Sequence, residues 1–372
     1  MRASSPVDYQ LTKMMMSGGS KRIAGTSHGY VAILLIAVIG TAAAAWFMTS
    51  LGGHAVRIGR DRTTAAALAL AKQALIGRAA IDQSLPGSLP CPDLVTHIPG
   101  SNMPDDGIAD LFAGIHCPNY VGRLPWRTLG LPDLRDADGE RLWYALSPNF
   151  RDLANHVNIN DSTSGTLSVS GATTVTNVAA IVFSPGAVVG HQARNGATNQ
   201  NKVVNYLEGV NASGGPAFLA QATADNFNDR LTTISVADLM AIVEKRVASE
   251  ITVALNRYFL VNSVLPNPAP PGDFACQPNG DQSLCLPAGS AAPGLLPRNL
   301  TPGAGWPGVA FPAWFNANWR TSVRYIVAPE CTSLPACSST TFSAMTDAAL
   351  FTPKVTLVVG TTRQFTARIA AQ

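Results

Sequence analysis

From Tyr30 to Leu51 the chain carries 22 residues without a charge. At about 1.5 Å per residue, a helix of that length covers the roughly 30 Å of a bilayer's hydrocarbon core. The run predicts a membrane segment, and the remainder of the chain reads as material held at a membrane. Flanking charge does not orient it, because Arg2, Lys13, Lys21 and Arg22 precede it while Arg57, Arg60, Arg62 and Lys72 come after. The helical pattern continues past the run. Ile58, Ala65, Leu68, Ala71, Leu75 and Ala79 recur mostly at three- and four-residue steps, with Arg62, Lys72 and Arg78 among the polar positions, the mark of an amphipathic helix. Leu85-Pro86-Gly87 stops it, so one long helix is predicted from Tyr30 to about Asp82.

A basic stretch with Lys13, Lys21 and Arg22 ends in His28 and Gly29, and the apolar run begins directly after that glycine. A leader that stops at a glycine resembles a prepilin peptidase substrate, and the plan of the chain resembles type IV pilins and the pseudopilins of type II secretion. The resemblance implies cleavage after Gly29, Tyr30 as the mature N-terminus, and a helix whose first half lies in the membrane while its second half packs on a head. It implies as partners other pilins or pseudopilins, the prepilin peptidase and an inner-membrane assembly platform, with the head in the periplasm or at a filament tip. Most pilins carry glutamate at the fifth mature position, where it pairs with the amine of the subunit above; here that position is Leu34. A carboxylate at mid-bilayer costs about 2.5 to 3.5 kcal/mol and persists only beside a neutralising partner. A tip subunit has no neighbour above it, so Leu34 points to a tip or initiating subunit. Two other readings of the run stay open. Tyr30 to Gly40 followed by Thr41-Ala42-Ala43-Ala44-Ala45 satisfies a signal-peptidase site, which releases a soluble protein, and an uncleaved signal anchor is the third.

The head is predicted to be α+β and rich in loops, because 32 glycines and 26 prolines among 372 residues do not suit a helical bundle. A charged fraction of 13% and a net charge of +3 leave no electrostatic footprint for nucleic acid. Cys91, Cys117, Cys276, Cys285, Cys331 and Cys337 all lie after the span. An even count on one side suits disulfides in an oxidising compartment. Six cysteines allow 15 connectivities; proximity in sequence suggests Cys91 with Cys117, Cys276 with Cys285 and Cys331 with Cys337.

Strands are expected over Arg141 to Leu146, Gly165 to Ser170 and Val178 to Phe183, and 186–232 reads as a long connection or surface insertion. The run from Asp136 to Pro148 is similar to the stretch that leads into the first strand of pseudopilin heads, although alanine and aspartate stand where the family has tryptophan. Ser235 to Asp238 offers a capping start for a second helix to about Leu260. Val236, Met240, Val243, Val247, Ile251, Ala254 and Tyr258 mark one face, and Glu244, Arg246, Glu250 and Arg257 the other. The chain beyond this helix repeats the order found beyond the first. Leu265-Pro266 answers Leu85-Pro86, Arg324 to Pro329 answers Trp143 to Pro148, Val355 to Gly360 answers Thr166 to Gly171, and Phe365 to Ala370 answers Val178 to Phe183. An internal duplication is expected, each copy a helix, a disulfide loop, a Leu-Pro turn and a small antiparallel sheet, with a leader over 1–29, a membrane half-helix over 30–53, a first module over 54–210 and a second over 211–372.

No nucleophile elbow, zinc-protease motif, phosphate loop or dinucleotide fingerprint occurs, and no catalytic residue is expected. Cys91, His97, His116 and Cys117 have the chemistry of a zinc site, but exported cysteines oxidise and a disulfide is expected. Asp93, Asp105, Asp106 and Asp110 around Gly107 offer oxygen ligands for calcium. The D-x-D-x-D-G order is missing, and no cofactor is expected beyond that candidate. Trp306, Phe311, Trp314, Phe315 and Trp319 form a dense aromatic group, read first as core packing and second as an exposed contact rim. The expected function is that of a minor pilin or pseudopilin-like subunit. The competing class is a secreted or anchored periplasmic enzyme or binding protein.

Overall fold

The computed structural model describes residues 28–94, 105–111, 117–151, 158–171, 174–196, 199, 202–262, 265–270, 276, 285–286, 294–297, 311–327, 354–359 and 363–368. By its contacts the chain divides into two units, 1–58 and 59–372.

Helix α1, His28–Ile81, is a single helix of 54 residues. Within the second unit it buries Thr64, Ala67, Leu68, Ala71, Leu75, Ala79 and Ala80, a stripe at helical spacing. Alanine at four of those positions lets the backbone approach closely. Asp82 closes the helix, its carboxylate accepting the N–H groups of Ser84 and Leu85 at 2.9 and 2.8 Å and Arg78 reaching it from one turn back at 2.6 Å. Burial works to raise the Asp82 carboxyl, yet Arg78 and those two N–H groups outweigh it and hold it below its ordinary range. Arg246 donates to the carbonyls of Ala80, at 2.6 Å, and of Asp82, so a cation satisfies the negative end of the helix. Gly87 turns the chain away at φ 99°, where a Cβ would meet Ile159 at 2.7 Å.

Six strands form the first sheet: β1 Val121–Arg123, β2 Trp143–Leu146, β3 Leu167–Gly171, β4 Val175–Ser184, β5 Ala217–Ala220 and β6 Arg230–Ser235. Their order is β1-β2-β4-β3-β5, with β6 pairing β4 as well; β3 and β5 are parallel and the other pairs antiparallel, so the sheet is mixed and larger than the small antiparallel one expected, because β5 joins the free edge of β3. Side chains alternate between the faces. Tyr144, Leu146, Ala180, Val182 and Ile234 join the core with α1, while Trp143, Ala145, Ile181 and Phe183 join a second cluster with Tyr206, Leu207 and Phe218. The strands predicted near 141–146, 165–170 and 178–183 are therefore present, and 186–232 holds more than a connection. It supplies β5 and the start of β6, and its apolar residues cover the outer face of the sheet.

Helix α2, Val236–Asn262, begins where Ser235 Oγ accepts the N–H of Asp238 at 3.1 Å, the predicted cap. All seven residues of its predicted apolar face are buried, and so is Glu244, at 4% exposure, which the sequence placed on the polar face. The reason is that α2 touches two sheets: β4 and β6 of the first, and β8 and β9 of the second. That second sheet is antiparallel, ordered β7 Val323–Val327, β8 Lys354–Val359, β9 Arg363–Arg368.

Its three strands lie where the duplication expects them, and the linear order of elements repeats. The order across the sheets does not. The duplication equates β7, β8 and β9 with β2, β3 and β4, but the first sheet runs β2-β4-β3 and the second β7-β8-β9. The expected boundary at residue 210 also falls ahead of β5 and β6, which belong to the first sheet. One core joins α1, α2 and both regions through Phe311, Trp314, Phe315, Trp319, Val323 and Tyr325.

Candidate functional site

Among the described side chains of α1, those on the face turned away from the head are exposed. Ala65, Ala66, Ala69, Gln73 and Gly77 are exposed there, with Leu70 at 42% and Ile81 at 70%. Beside this stripe α1 and β6 enclose a groove of about 390 Å³, lined by Ala65, Leu68, Ala69 and Ile76 from the helix and Leu231 and Thr232 from the strand. Lys72 at its rim is tied to Asp238 of α2 at 3.0 Å; that contact, more than the modest burial opposing it, pulls the Asp238 carboxyl below its usual range. Lys72, Gln73 and Thr232 are the polar members of the lining, and the rest of it is apolar. Its chemistry suits the packing of an apolar segment.

The region of the predicted calcium ligands is a braced loop. Cys91 and Cys117 form a disulfide, which removes the thiolates a zinc ion would need; His97 and His116 lie outside the described residues. Asp93 accepts the N–H of Gly107 at 2.8 Å, Asp110 that of Leu94 at 2.7 Å, and Asp106 that of Ile108 at 2.8 Å. Asp105 pairs with Arg141 at 2.6 Å. Each carboxylate thus holds backbone or a cation. Among the described residues no group of three acidic, histidine or cysteine side chains is placed to hold a metal ion. Burial pushes the Asp93 carboxyl up to about 7, against the lowering effect of the Gly107 N–H, and Asp105, Asp110 and Asp106 add to the rise.

Cys276 and Cys285 form the second expected disulfide; Cys331 and Cys337 lie outside the described residues. Gly29, Tyr30 and Leu34 lie on the backbone of α1. Of the aromatic group, Phe311, Trp314, Phe315 and Trp319 are at most 6% exposed. Their burial rules these four out as an exposed rim and leaves the core reading; Trp306 lies outside the described residues.

Three polar nodes escaped the sequence reading. The buried Asp136 carboxylate accepts the N–H groups of Asp138 and Glu140 through one oxygen, and Ser184 Oγ and the Gly186 N–H through the other, at 2.8 to 3.0 Å. It ties the turn before β2 to the end of β4. The same turn docks on α1, where Thr64 Oγ1 accepts the N–H of Ala137 and Arg60 pairs with Asp138. Next to it Arg123, 5% exposed, lies over the rings of Trp143 and Tyr206 at 4.6 and 4.2 Å, and Arg194 lies over Tyr206 at 4.9 Å. Burial lowers the Arg123 guanidinium from its usual value, and Tyr206 opposes that. Third, Glu208 and Asp229, both buried, exchange backbone contacts: the Glu208 carboxylate accepts the N–H groups of Asn228 and Asp229, and the Asp229 carboxylate accepts that of Glu208. The Asp-Ala-Asp-Gly turn signalled the first node; nothing local signalled the pairing of the other two. Comparison of the chain with protein-family models, curated proteins and solved structures gives no match.

Proposed function

We propose that this chain is a minor pilin or pseudopilin-like subunit that takes part in assembling or capping a type IV pilus or type II secretion filament. The observation that carries the reading is α1, one uninterrupted helix of 54 residues, uncharged from Tyr30 to Leu51 and seated on an α+β head by the stripe from Thr64 to Ala80. Among the described residues the stretch Ala55–Ile81 of α1 is long and apolar enough to cross a bilayer. That stretch carries Arg57, Arg60, Asp61, Arg62, Lys72 and Arg78 and is partly buried on the head, so the uncharged Tyr30 to Leu51 run is the fitting span. The outward stripe of Ala66, Ala69, Leu70 and Gly77 offers like helices a smooth surface on which to pack. In this reading Gly29 is the processing site, Tyr30 the mature N-terminus, and Leu34, which cannot pair with an amine above it, marks a tip position. The inner membrane holds the helix and the periplasm the head.

N-terminal sequencing of the chain purified from its membranes tests this. A start at Tyr30 that reverts to the unprocessed form in a strain lacking the prepilin peptidase is the expected result. A start at Trp46, or an uncut Met1 beside an active peptidase, overturns it and favours the secreted or anchored alternative.

A further inference from the structure

Between β4 and β6, the described residues of 185–229 supply β5 and lay Tyr206, Leu207 and Phe218 against Trp143, Ile181 and Phe183 on the outer face of the first sheet. This strap closes where two acids meet. Glu208, 7% exposed, stands between two 3₁₀ turns, Val203–Asn205 and Gly209–Ser213, and Asp229, 3% exposed, stands at the mouth of β6. The Glu208 carboxylate accepts the N–H groups of Asn228 and Asp229, both at 3.0 Å, and Gln192 Nε2 at 2.6 Å. The Asp229 carboxylate accepts the Glu208 N–H and Asn211 Nδ2, both at 2.9 Å, through one oxygen, and its carboxyl group meets that of Glu208. Two carboxylates this close and this dry do not both ionise cheaply.

The surrounding charges do not relieve them. From the strap itself Arg194 reaches Glu208 only through Gln192, donating to Gln192 Oε1 at 2.7 Å, and its guanidinium pairs with Glu140 at 3.2 Å. Arg230 on β6 is held by Asp61 of α1 at 2.6 Å, Arg123 on β1 lies over Tyr206, and His191 is exposed. Asp136, on the turn before β2, grips Gly186 at the start of the strap. Among the described residues no cation forms an ion pair with Glu208 or Asp229.

We propose that Glu208 and Asp229 form a one-proton latch: with one proton between the two carboxyls the strap is clamped over the outer face of the sheet, and loss of that proton favours its release. The latch is independent of the role given to α1. Burial raises the Asp229 carboxyl to about 8, and Glu208 adds to the rise although hydrogen bonds from the Glu208 N–H and Asn211 oppose it. In the released strap Asp229 is solvated and has an ordinary value near 4, so between about 4 and 8 the closed state binds one proton more than the open one. Opening therefore becomes easier as pH rises through that window and stops changing above it.

Hydrogen exchange of the full-length chain in detergent, read by mass spectrometry from pH 5 to 9 and corrected for the intrinsic rate, tests the latch. The opening constant of peptides within 203–229 is expected to rise about tenfold per pH unit between pH 5 and 7 and to level near pH 8. In Asp229→Asn, which keeps the shape of the protonated acid, the slope is expected to vanish. An equal slope in the variant overturns the proposal. Should the variant fail to fold, Asp93→Asn decides instead: no pH dependence in 203–229, or a slope there that Asp93→Asn abolishes, overturns the proposal.

Discussion

Leu75 and Leu70 lie five residues apart on α1 and face opposite ways, which makes them a matched test of how the helix is seated. Leu75 is fully buried, and truncation to alanine removes three carbons from the core shared by α1, the first sheet and α2. The transfer loss alone is about 0.8 kcal/mol per carbon, roughly 2.4 kcal/mol in all. The residual cavity brings Leu→Ala costs to about 2.7 to 5 kcal/mol, and the well-filled site puts the expectation for Leu75→Ala at about 3 to 4 kcal/mol. Leu70, 42% exposed, leaves no cavity, and Leu70→Ala is expected to change stability by no more than about 0.5 kcal/mol. Urea unfolding of the full chain in detergent, followed through the fluorescence of the buried Trp143 and Trp319, reads both. With a slope near 3 kcal/mol per molar, Leu75→Ala lowers the midpoint by about 1 M and Leu70→Ala by less than about 0.2 M. Equal shifts, or a Leu75→Ala shift below about 0.3 M, would refute the seating of α1 and with it the face offered to other helices.

The two disulfides are expected to differ in worth. Cys91 and Cys117 are 26 apart in sequence and Cys276 and Cys285 are 9 apart, which gives loop-entropy contributions of about 3.5 and 2.7 kcal/mol. Paired Cys→Ala substitutions compared in the same urea assay should rank in that order, and a larger loss at the second pair would count against the first as the stronger staple. Asp93 sets a pH dependence. Its carboxyl is raised to about 7 in the fold, so the native state binds one proton more than the unfolded chain between about pH 4 and 7. The Asp93 contribution to stability then falls as pH rises through that window and is flat above it. Asp93→Asn removes one proton from the linkage and should flatten the stability profile between pH 5 and 7 by about 1.4 kcal/mol per unit; an unchanged slope places the titration elsewhere.

What the sequence made legible was what it carries locally. The apolar stripe of α1, the Ser235 cap and seven-residue face of α2, and the strands near Trp143, Val178 and Tyr325 each have a period or a stop signal within a few residues. β5 has neither. Ala217 to Ala220 becomes a strand because β3 offers it a parallel edge, a pairing that lies nearly 50 residues away and leaves no mark on the four residues themselves. Glu244 illustrates a second limit. A helix packed on one sheet has a polar face, but α2 is held between two sheets, which widens its buried arc until it takes in a residue that a one-sided pattern assigns to water.

The same distinction governs the repeat along the chain. Linear order is a one-dimensional property, and the parallels between residues 143–183 and 324–370 satisfy it; which strand lies next to which depends on the edge each finds free. In the first sheet β4 is long enough to serve β2, β3 and β6 at once, so it takes the middle, whereas the six-residue β9 pairs along its whole length with β8 alone and stays at the edge. β6 takes the other edge of β4 from β2, over Val178 to Ser184, and carries Asp229 at its mouth to Glu208. The acid pair that closes the strap thus arises from the pairing of β6 with β4, which is why neither carboxylate, read in its own stretch of chain, announced the other.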